Sequence, residues 1–417
     1  MKHLRRLLPA LLAFTAGCAL GFAAWGEGRA PVLALLLPAA VAICSSRSRA
    51  FLVGTGYVVG LMRHTAEFIG TWFDNSLVVG SAAVLTYAVI TGAVWAVGWT
   101  ASPRASRRAL AMGIAWLIAV MPPATLAIPG HPLVAAGFVL PGWGWLGVLV
   151  AFGGAILMAV TLPMLVRCQR VAVIATMCAS SAMGGALLGR SQETPPAGRG
   201  VVAISTAWGN IVGAEDALTR IERMGRTPVS GRAVTVVWPE SILGRYEPSL
   251  YPVLDLELLQ TARREGRVHV IGMDIPLRGN RLLNSALAFY PDGSTATAVA
   301  RQPAPLSLWR PWQAENTFIA DWSANNVINL GQGDRAAVIF CYEEYLPALY
   351  LLNEAFDRPT VYVAMRNTWA APHSASSTIQ TWHSLGMARL FGRPYLMADN
   401  RPRQAKPASD WTPSIAP

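Results

Sequence analysis

The first 190 residues form a nearly continuous series of apolar segments separated by short polar turns. Each segment is close to the length of about 20 residues that a helix needs to cross a bilayer. With 53% hydrophobic and 14% charged residues, the chain is too apolar for an ordinary soluble protein. We therefore predict a transmembrane domain over residues 1–190, with about seven helices near 7–25, 30–45, 50–70, 77–99, 109–128, 145–166 and 171–189.

Basic residues fall in alternate loops between these segments, and this alternation predicts the orientation. They precede the first segment and lie between segments two and three, four and five, and six and seven: Arg5, Arg6, Arg47, Arg49, Arg104, Arg107, Arg108, Arg167 and Arg170. Because such residues are retained in cytoplasmic loops, the N-terminus is predicted to be cytoplasmic. An odd number of crossings in a bacterial cytoplasmic (inner) membrane then places the chain after residue 190 in the periplasm; one miscounted segment reverses this.

Two polar features interrupt the apolar half. The opening residues up to Cys18 faintly resemble a lipoprotein signal, but Thr15 stands where an aliphatic residue is usual and further segments follow. An ordinary first helix is the favoured interpretation. Arg63, His64 and Glu67 lie in the third segment, where a structural pair at the membrane interface and a substrate contact are equally open.

The pattern changes after a Pro- and Gly-containing linker at 191–200. Short β-branched runs then alternate with segments of helical periodicity, and an Asp-Gly turn joins two of the runs as a hairpin. This alternation predicts an α/β domain over residues 201–400 with a largely buried sheet, followed by a flexible tail at 401–417. The predicted strands are 201–205, 233–238, 269–273, 283–290, 295–299, 336–340, 360–365 and 395–398, and the predicted helices are 213–223, 254–264, 341–354 and 378–391.

The formal net charge of +11 comes almost entirely from arginine and fits the loop topology. Direct nucleic-acid binding is not expected, because no clustered basic face with stacking aromatic residues is evident. Four of the five cysteines fall in or beside apolar segments, and only Cys341 lies in the α/β domain. The spacings predict no disulfide framework, no metal site and no cofactor.

Three predicted strand ends carry side chains capable of chemistry: Glu240, Cys341 and the polar run that begins at Arg366. Ligands bind at strand ends in α/β sheets, and a carboxylate there can accept the proton of a thiol. Simpler interpretations stay open. Cys341 can be a small buried apolar residue, and Glu240 can be a neighbour of a helix cap. Glu343 and Glu344 can be residues of a first helical turn, and Tyr342 and Trp369 can be packing residues. His373 and His383 can lie in a loop and on a helix surface.

Three short motifs carry a resemblance to a known family: Trp238-Pro239-Glu240-Ser241, Cys341-Tyr342-Glu343 and Arg366-Asn367-Thr368-Trp369. In order and spacing they resemble the carbon–nitrogen hydrolase (nitrilase) superfamily. With a multispan N-terminal half, the chain is similar among enzymes to the apolipoprotein N-acyltransferases. Its whole layout resembles the conjugal transfer membrane proteins of rhizobial-type plasmids.

The resemblance implies an αββα sandwich and a Glu-Lys-Cys triad. By motif position, Cys341 is the nucleophile that forms a thioester and Glu240 the general base. The resemblance assigns substrate contacts to Tyr342, Glu343, Asn367 and Trp369.

The lysine of that triad is missing. The chain has only Lys2 and Lys406, and Arg301 is the basic residue near the family position. Arginine supplies a fixed charge but has a different reach and cannot release a proton. The loss of one oxyanion donor typically lowers the rate about 10²–10³-fold. The site can therefore be active with arginine, slow or catalytically inactive, and all three interpretations stay open.

Two functional hypotheses follow from the resemblance. In the first, the protein hydrolyses or transfers an acyl or amide group, acting on a membrane lipid, a lipoprotein or another membrane protein. In the second, it is a catalytically silent structural or assembly partner. Both hypotheses place it with the conjugal transfer apparatus. A transporter is a weaker third hypothesis, because the apolar segments hold few ionisable groups.

Overall fold

The computed structural model describes residues 2–26, 30–167, 200–229, 233–371 and 375–403. The N-terminal half is helical: α1 (Lys2–Trp25), α2 (Leu37–Ala42), α3 (Arg47–Leu61), α4 (Thr65–Thr71), α5 (Leu77–Val97), α6 (Ala105–Val120), α7 (Pro132–Ala136) and α8 (Gly144–Arg167). Short 3₁₀ turns lie at Pro31–Leu36 and Ala124–Ala127. The predicted segment 171–189, linker residues 191–199 and tail residues 404–417 lie outside the described residues.

Among the described residues, three helical stretches are long and apolar enough to cross a membrane: Leu7–Trp25, Leu77–Val97 and Gly144–Leu165. In three other predicted crossings, the helix is interrupted or is shorter than predicted. Residues 30–45 contain a 3₁₀ turn followed by the short α2, and residues 50–70 are divided between α3 and α4. Helix α6 ends at Val120, just before Pro122 and Pro123, which cannot donate the backbone hydrogen bonds that continue a helix.

Small residues let the first and third helices approach closely. A Cβ on Gly21 would lie 2.0 Å from the carbonyl oxygen of Tyr57, and one on Gly60 would lie 2.1 Å from that of Cys18. Such contacts leave no room for a side chain. Close backbone approach at small residues is characteristic of helix packing in membranes.

Nine strands are described in the C-terminal half: β1 (Val201–Ala203), β2 (Thr235–Val237), β3 (Val268–Pro276), β4 (Leu282–Phe289), β5 (Thr295–Val299), β6 (Val327–Gly331), β7 (Asp334–Phe340), β8 (Val361–Asn367) and β9 (Tyr395–Asn400). The helices are α9 (Gly213–Arg226), α10 (Tyr251–Leu254), α11 (Gln260–Arg264), α12 (Pro347–Leu352) and α13 (Ala375–Leu390). Helical turns at Asp255–Leu259 join α10 to α11. Strand β6 was not predicted from the sequence.

The strands form two sheets that face each other. The first has the order β1-β2-β3-β4-β5, parallel as far as β3 and antiparallel beyond it. The second has the order β6-β7-β8-β9, with β7, β8 and β9 parallel. Alternate residues of both sheets share one buried core, including Val270, Ala288, Val338 and Val363.

A second core lies on the other face of the first sheet, where α9 and the α10–α11 region pack. Ile221 and Leu258 from these helices are buried with Trp238 and Ile271 from the sheet. A helix layer and two facing sheets are therefore present. The predicted helical region followed by an α/β domain is confirmed, with two sheets as the family resemblance implied.

The chain divides into two compact units. One contains α1–α8 together with Tyr345–Leu351 and α13, and the other contains the nine strands. Within the first unit, His383 of α13 is fully buried, and its Nε2 accepts a hydrogen bond from the Gly130 backbone N–H at 2.9 Å. Its ring stacks on Trp25, with centroids 4.4 Å apart. The interpretation of His383 as a helix-surface residue is therefore wrong, and His373 lies outside the described residues.

Candidate active site

Cys341 directly follows β7, which pairs with β6 on one side and β8 on the other. It is partly buried, and it forms no disulfide within the described residues. Its φ of 21° is rare for a residue with a side chain. Strained backbone of this kind clusters at active sites and ligand clamps. The predicted α-helix does not follow at once, because Cys341–Tyr345 forms a 3₁₀ turn before α12.

Glu240 lies just beyond the end of β2 and is 3% exposed. The pKa of its carboxyl group is raised to about 8, chiefly by burial and to a smaller extent by the nearby carboxylates of Asp274, Glu343 and Glu344, against a hydrogen bond from Asn284 that lowers it. Glu240 is therefore mostly protonated at neutral pH. Glu343 and Glu344 follow Cys341 by two and three residues, and their charges act on Glu240. The strand end after β7 is therefore within electrostatic reach of Glu240.

The turn that carries Glu240 rests on the backbone of β3. A Cβ on Gly272 would lie 2.2 Å from the Pro239 carbonyl oxygen and 2.7 Å from the Glu240 Cα. The next residue, Ser241, has a φ of 45°, and its hydroxyl donates to Asp274 at 2.6 Å. The missing side chain at Gly272 thus sets how closely Glu240 can approach the sheet.

Replacing Gly272 with alanine is therefore expected to push the Glu240 turn away from β3. Forcing an extra group into a packed site costs about 1–3 kcal/mol, so the variant should unfold at a lower denaturant concentration. Gly153→Ala is the matched control, since nothing lies within 4 Å of the added Cβ there. Equal unfolding midpoints for both variants would contradict this packing role of Gly272.

Glu343 joins the end of β7 to the chain that follows β5. Its carboxylate accepts hydrogen bonds from the backbone N–H of Gln302 at 2.8 Å and of Phe340 at 2.9 Å. The side chain is fully buried, and burial raises its pKa to about 7 despite these bonds. This geometry supports a positioning role for Glu343, which lies in the 3₁₀ turn two residues after Cys341 and is buried rather than open to solvent.

Arg301 is 5% exposed, and protein acceptors engage all three of its guanidinium nitrogens. Nε donates to the Ala324 carbonyl at 2.8 Å, Nη1 donates to Asn353, and Nη2 contacts Asp357 at 3.0 Å. This arrangement ties the end of β5 to the helical turn Asn353–Asp357. The charged groups that most raise the pKa of Glu240 are the carboxylates of Asp274, Glu343 and Glu344, while the charge of Arg301 acts on Glu343 and lowers its pKa.

These contacts predict how Arg301 responds to replacement by the lysine of the family. Arg301→Lys keeps the charge but cannot satisfy three separate acceptors, so it should destabilise the protein by about 1–3 kcal/mol. Asp357→Asn, which removes one of these contacts, should also destabilise it. If the lysine variant instead kept its stability and its Cys341 thiol became more reactive, residue 301 would act on the chemistry of Cys341 rather than on the fold.

The polar run after β8 is largely engaged by other residues. Arg366 forms a fully buried two-pronged ion pair with Glu344, and Tyr395 lies 2.8 Å from its Nη2. The interpretation of Glu344 as a simple first-turn residue is therefore wrong. Asn367 accepts a hydrogen bond from Asn400 at 2.9 Å. Tyr342 and Trp369, also predicted as substrate contacts, are partly exposed.

Sequence reasoning missed Asn284, which donates to Glu240 and is 1% exposed. Its Oδ1 has no hydrogen-bond partner in the described structure. The available signal was an asparagine inside the otherwise apolar strand β4, where this residue type is depleted. Asp274, opposite it on β3, was also missed. No group of three or more potential metal ligands occurs among the described residues.

The arrangement can transfer a proton in both directions. An ionised Glu240 can accept the proton of a thiol, and a protonated Glu240 can return it to a leaving group. A pKa of about 8 makes both forms accessible near neutral pH. The Cys341 strand end and the Glu240 strand end thus carry a thiol and a carboxyl group, the two kinds of group that nucleophilic catalysis by cysteine uses.

Two curated relatives resemble this chain over most of its length. The chain is 27% identical to the probable conjugal transfer protein TraB of Sinorhizobium fredii, over 88% of this chain and 93% of the relative. It is also 27% identical to the conjugal transfer protein TraB of Agrobacterium fabrum, over 92% of this chain and 90% of the relative. No protein-family model matches the chain.

Solved structures that resemble the chain include an amidase of the nitrilase superfamily from Nesterenkonia, at 16% identity and a TM-score of 0.30. That match covers 40% of this chain and 63% of the amidase. A carbon–nitrogen hydrolase from Helicobacter pylori matches at 12% identity and a TM-score of 0.34, over 48% of this chain and 72% of the hydrolase. The two curated relatives confirm the resemblance of the whole layout to a conjugal transfer protein: over most of its length, this chain is similar to the conjugal transfer protein TraB.

Proposed function

We propose that this protein is a membrane-anchored carbon–nitrogen hydrolase-like enzyme that acts in plasmid conjugal transfer. The observation that carries the proposal is the buried carboxyl group of Glu240, which feels the charges of Glu343 and Glu344, the residues two and three positions after Cys341. Cys341 itself has a strained backbone conformation, and both strained backbone and strongly shifted pKa values cluster at functional sites. Similarity to TraB along most of the chain supports the biological setting.

The proposed reaction proceeds through a thioester. Ionised Glu240 takes the thiol proton while the Cys341 sulfur attacks the acyl carbonyl, and the resulting tetrahedral adduct collapses as protonated Glu240 gives its proton to the leaving group. Water or an acceptor amine then attacks the thioester, and Glu240 again receives and returns the proton. Glu343 is a positioning residue in this scheme, because it holds Phe340 and Gln302 in place.

The substrate class follows from the proposed location. Three apolar helices could cross a membrane, and the loop charges predict that the α/β domain lies in the periplasm. A membrane lipid, a lipoprotein or another membrane protein would meet such a site. Tyr342 and Trp369, both partly exposed, are the proposed substrate contacts at the ends of β7 and β8.

Arg301 favours a second candidate function, that of a silent assembly component. Its guanidinium group is engaged by Ala324, Asn353 and Asp357, so it is poorly placed to replace the missing lysine of the family. Without an oxyanion donor the reaction would be slowed about 10²–10³-fold. In that case the domain would contribute to the transfer apparatus through its fold and surface alone.

A mating experiment tests the biological part of the proposal. Deleting the gene from its conjugative plasmid should lower the transfer frequency to recipient cells, and supplying the intact gene in the donor should restore it. A deletion that leaves the transfer frequency unchanged under inducing conditions would overturn a role in conjugation. This outcome is independent of whether the site is catalytic.

A further inference from the structure

A cavity of about 310 Å³ lies within the N-terminal helical unit. It is lined by residues that follow α2 and α5, by one residue of the second turn of α6 and by the C-terminal part of α8, including Cys44, Ser45, Trp99, Thr100, Arg108 and Pro163. Its volume is near the lower end of small-molecule sites, which run from about 300 to 1,000 Å³. The α/β domain contributes no residue to it.

Arg108 brings an unbalanced charge to this cavity. The side chain is 5% exposed, and its Nε donates to the Ser102 carbonyl at 2.9 Å. Its Nη1 is buried without a hydrogen-bond partner in the described structure. A buried cation is costly unless an anion or enough acceptors surround it. A ligand with a negative group would supply what the side chain lacks.

No carboxylate lines the cavity among the residues that the structure describes. Between residues 30 and 167 the only acidic residues are Glu67 and Asp74, and neither lines the cavity. Further positive charge lies close by, since Arg47 contacts the Trp99 carbonyl through Nη2 at 3.5 Å. Within helices α1–α8 and the described turns between them, the lining of the cavity therefore carries positive charge from Arg108 and no acidic side chain.

The surroundings of the cavity are apolar and exposed. Ile43, which lines it, is 46% exposed, and Met164 and Leu157 of α8 are 47% and 62% exposed. Only 11% of the most apolar window of α8 is buried. A ligand seated here would have a negative group at Arg108 and an apolar part against α8.

We propose that this cavity binds the phosphate of an anionic glycerophospholipid, with the acyl chains lying along the exposed face of α8. Arg108 donates to the phosphate through Nη1, and the hydroxyl groups of Ser45 and Thr100 are available to the headgroup. Basic pockets between helices at the cytoplasmic face of a membrane are suited to such headgroups. The charges of the loops predict that this cavity lies at the cytoplasmic face. This site is separate from Cys341 and does not depend on the proposed reaction.

The test is lipid binding to the full-length protein in a non-ionic detergent. Binding is measured as the rise in melting temperature with increasing lipid concentration. Phosphatidylglycerol is expected to bind, and Arg108→Met should weaken its apparent affinity about tenfold or more, because a charge-assisted hydrogen bond is lost. Arg107→Met is the matched control, since Arg107 is the exposed neighbour on the same helix. It should change the affinity less than twofold.

Two further measurements keep the proposal falsifiable. Ala101→Phe narrows the cavity at an exposed lining position, and it should weaken lipid binding without lowering the melting temperature of the lipid-free protein. Equal losses for the Arg107 and Arg108 variants would mean a diffuse surface charge and would overturn the proposal. A full response to inorganic phosphate alone, or equal binding of zwitterionic phosphatidylcholine, would overturn the assignment to an anionic lipid.

Discussion

Cys341→Ala is expected to abolish thioester formation and to lower the conjugal transfer frequency to that of a deletion strain. Removing the nucleophile of a covalent mechanism typically costs about 10⁴–10⁶ in rate, because the remaining groups cannot form the intermediate. The substitution removes one partly buried sulfur from a 3₁₀ turn, so the fold should survive. The measurement is the mating frequency, with the amount of protein in the donor membrane quantified in parallel.

Cys18→Ala is the matched control, since Cys18 is another partly buried cysteine without a disulfide in the described residues but lies in α1. It should transfer plasmid at the wild-type frequency. Wild-type transfer by the Cys341 variant, at a normal protein level, would contradict the catalytic proposal and favour the silent assembly component. Loss of transfer together with loss of protein would be resolved by Cys341→Ser, which keeps the size of the side chain.

Glu240→Gln is expected to slow the reaction of Cys341 and to remove the inflection near pH 8 that Glu240 contributes, leaving only the dependence that a thiol has through its own ionisation. In the wild-type protein, Glu240 can accept the thiol proton only when ionised, and its pKa is about 8. The rate of reaction of Cys341 with an acyl donor should therefore rise between pH 7 and 9 and level off above the pKa. The glutamine variant should be slower by about 10²–10⁴-fold near pH 8.5 and should lack this inflection.

The same substitution should also change how the stability of the protein depends on pH. The folded pKa of Glu240 is about 8, against an ordinary value of 4.5, so the folded protein holds a proton that the unfolded chain releases. This contribution is fully present below pH 4.5 and is lost as the pH rises through 8, by up to about 1.4 kcal/mol per pH unit. Glu240→Gln should therefore unfold with a weaker pH dependence over that range.

Glu247→Gln is the control for both measurements, because Glu247 is exposed. It should leave the pH profile of Cys341 and the stability curve as they are in the wild-type protein. Reactivity that rises with the same inflection in the Glu240 variant would exclude Glu240 as the base. A stability curve unchanged by Glu240→Gln would exclude a raised pKa at that residue.

The sequence was sufficient for most of the α/β domain. Strands β3, β7 and β8 are short β-branched runs whose pattern is hard to mistake, and the Asp-Gly turn identified the β4–β5 hairpin. Strand β6 was missed because Val327–Gly331 is short and is followed by the turn residues of a tight hairpin. The division into two facing sheets came from family resemblance, since periodicity alone does not reveal which strands share a sheet.

The apolar half was harder to predict, because hydropathy measures composition rather than helix length. The 109–128 segment is apolar throughout, yet α6 ends at Val120 before two prolines. The 50–70 segment divides near Arg63, whose guanidinium lies 4.4 Å from the ring centroid of Phe22. The first boundary has a local cause in the two prolines, while the contact of Arg63 with Phe22 joins residues far apart in the sequence and is not visible in a hydropathy pattern.

The site shows the same contrast. The motifs placed Glu240 and Cys341 at strand ends, and both occupy them in the structure. The partners of Glu343 and Arg301 are backbone amides and side chains from elsewhere in the chain, which no local pattern identifies. Whether Cys341, Glu240 and Arg301 act in catalysis stays a prediction that only chemistry can test.

Trapping the acyl intermediate tests the central claim most directly. The full-length protein, in phospholipid nanodiscs at pH 8.5, is incubated with a short-chain acyl ester and analysed by intact and peptide mass spectrometry. The account predicts an acyl adduct on Cys341 that neutral hydroxylamine removes, that is absent from Cys341→Ala and that is much reduced in Glu240→Gln. A Cys341 thiol that iodoacetamide alkylates but that acquires no acyl group from the ester or the phospholipid would contradict it.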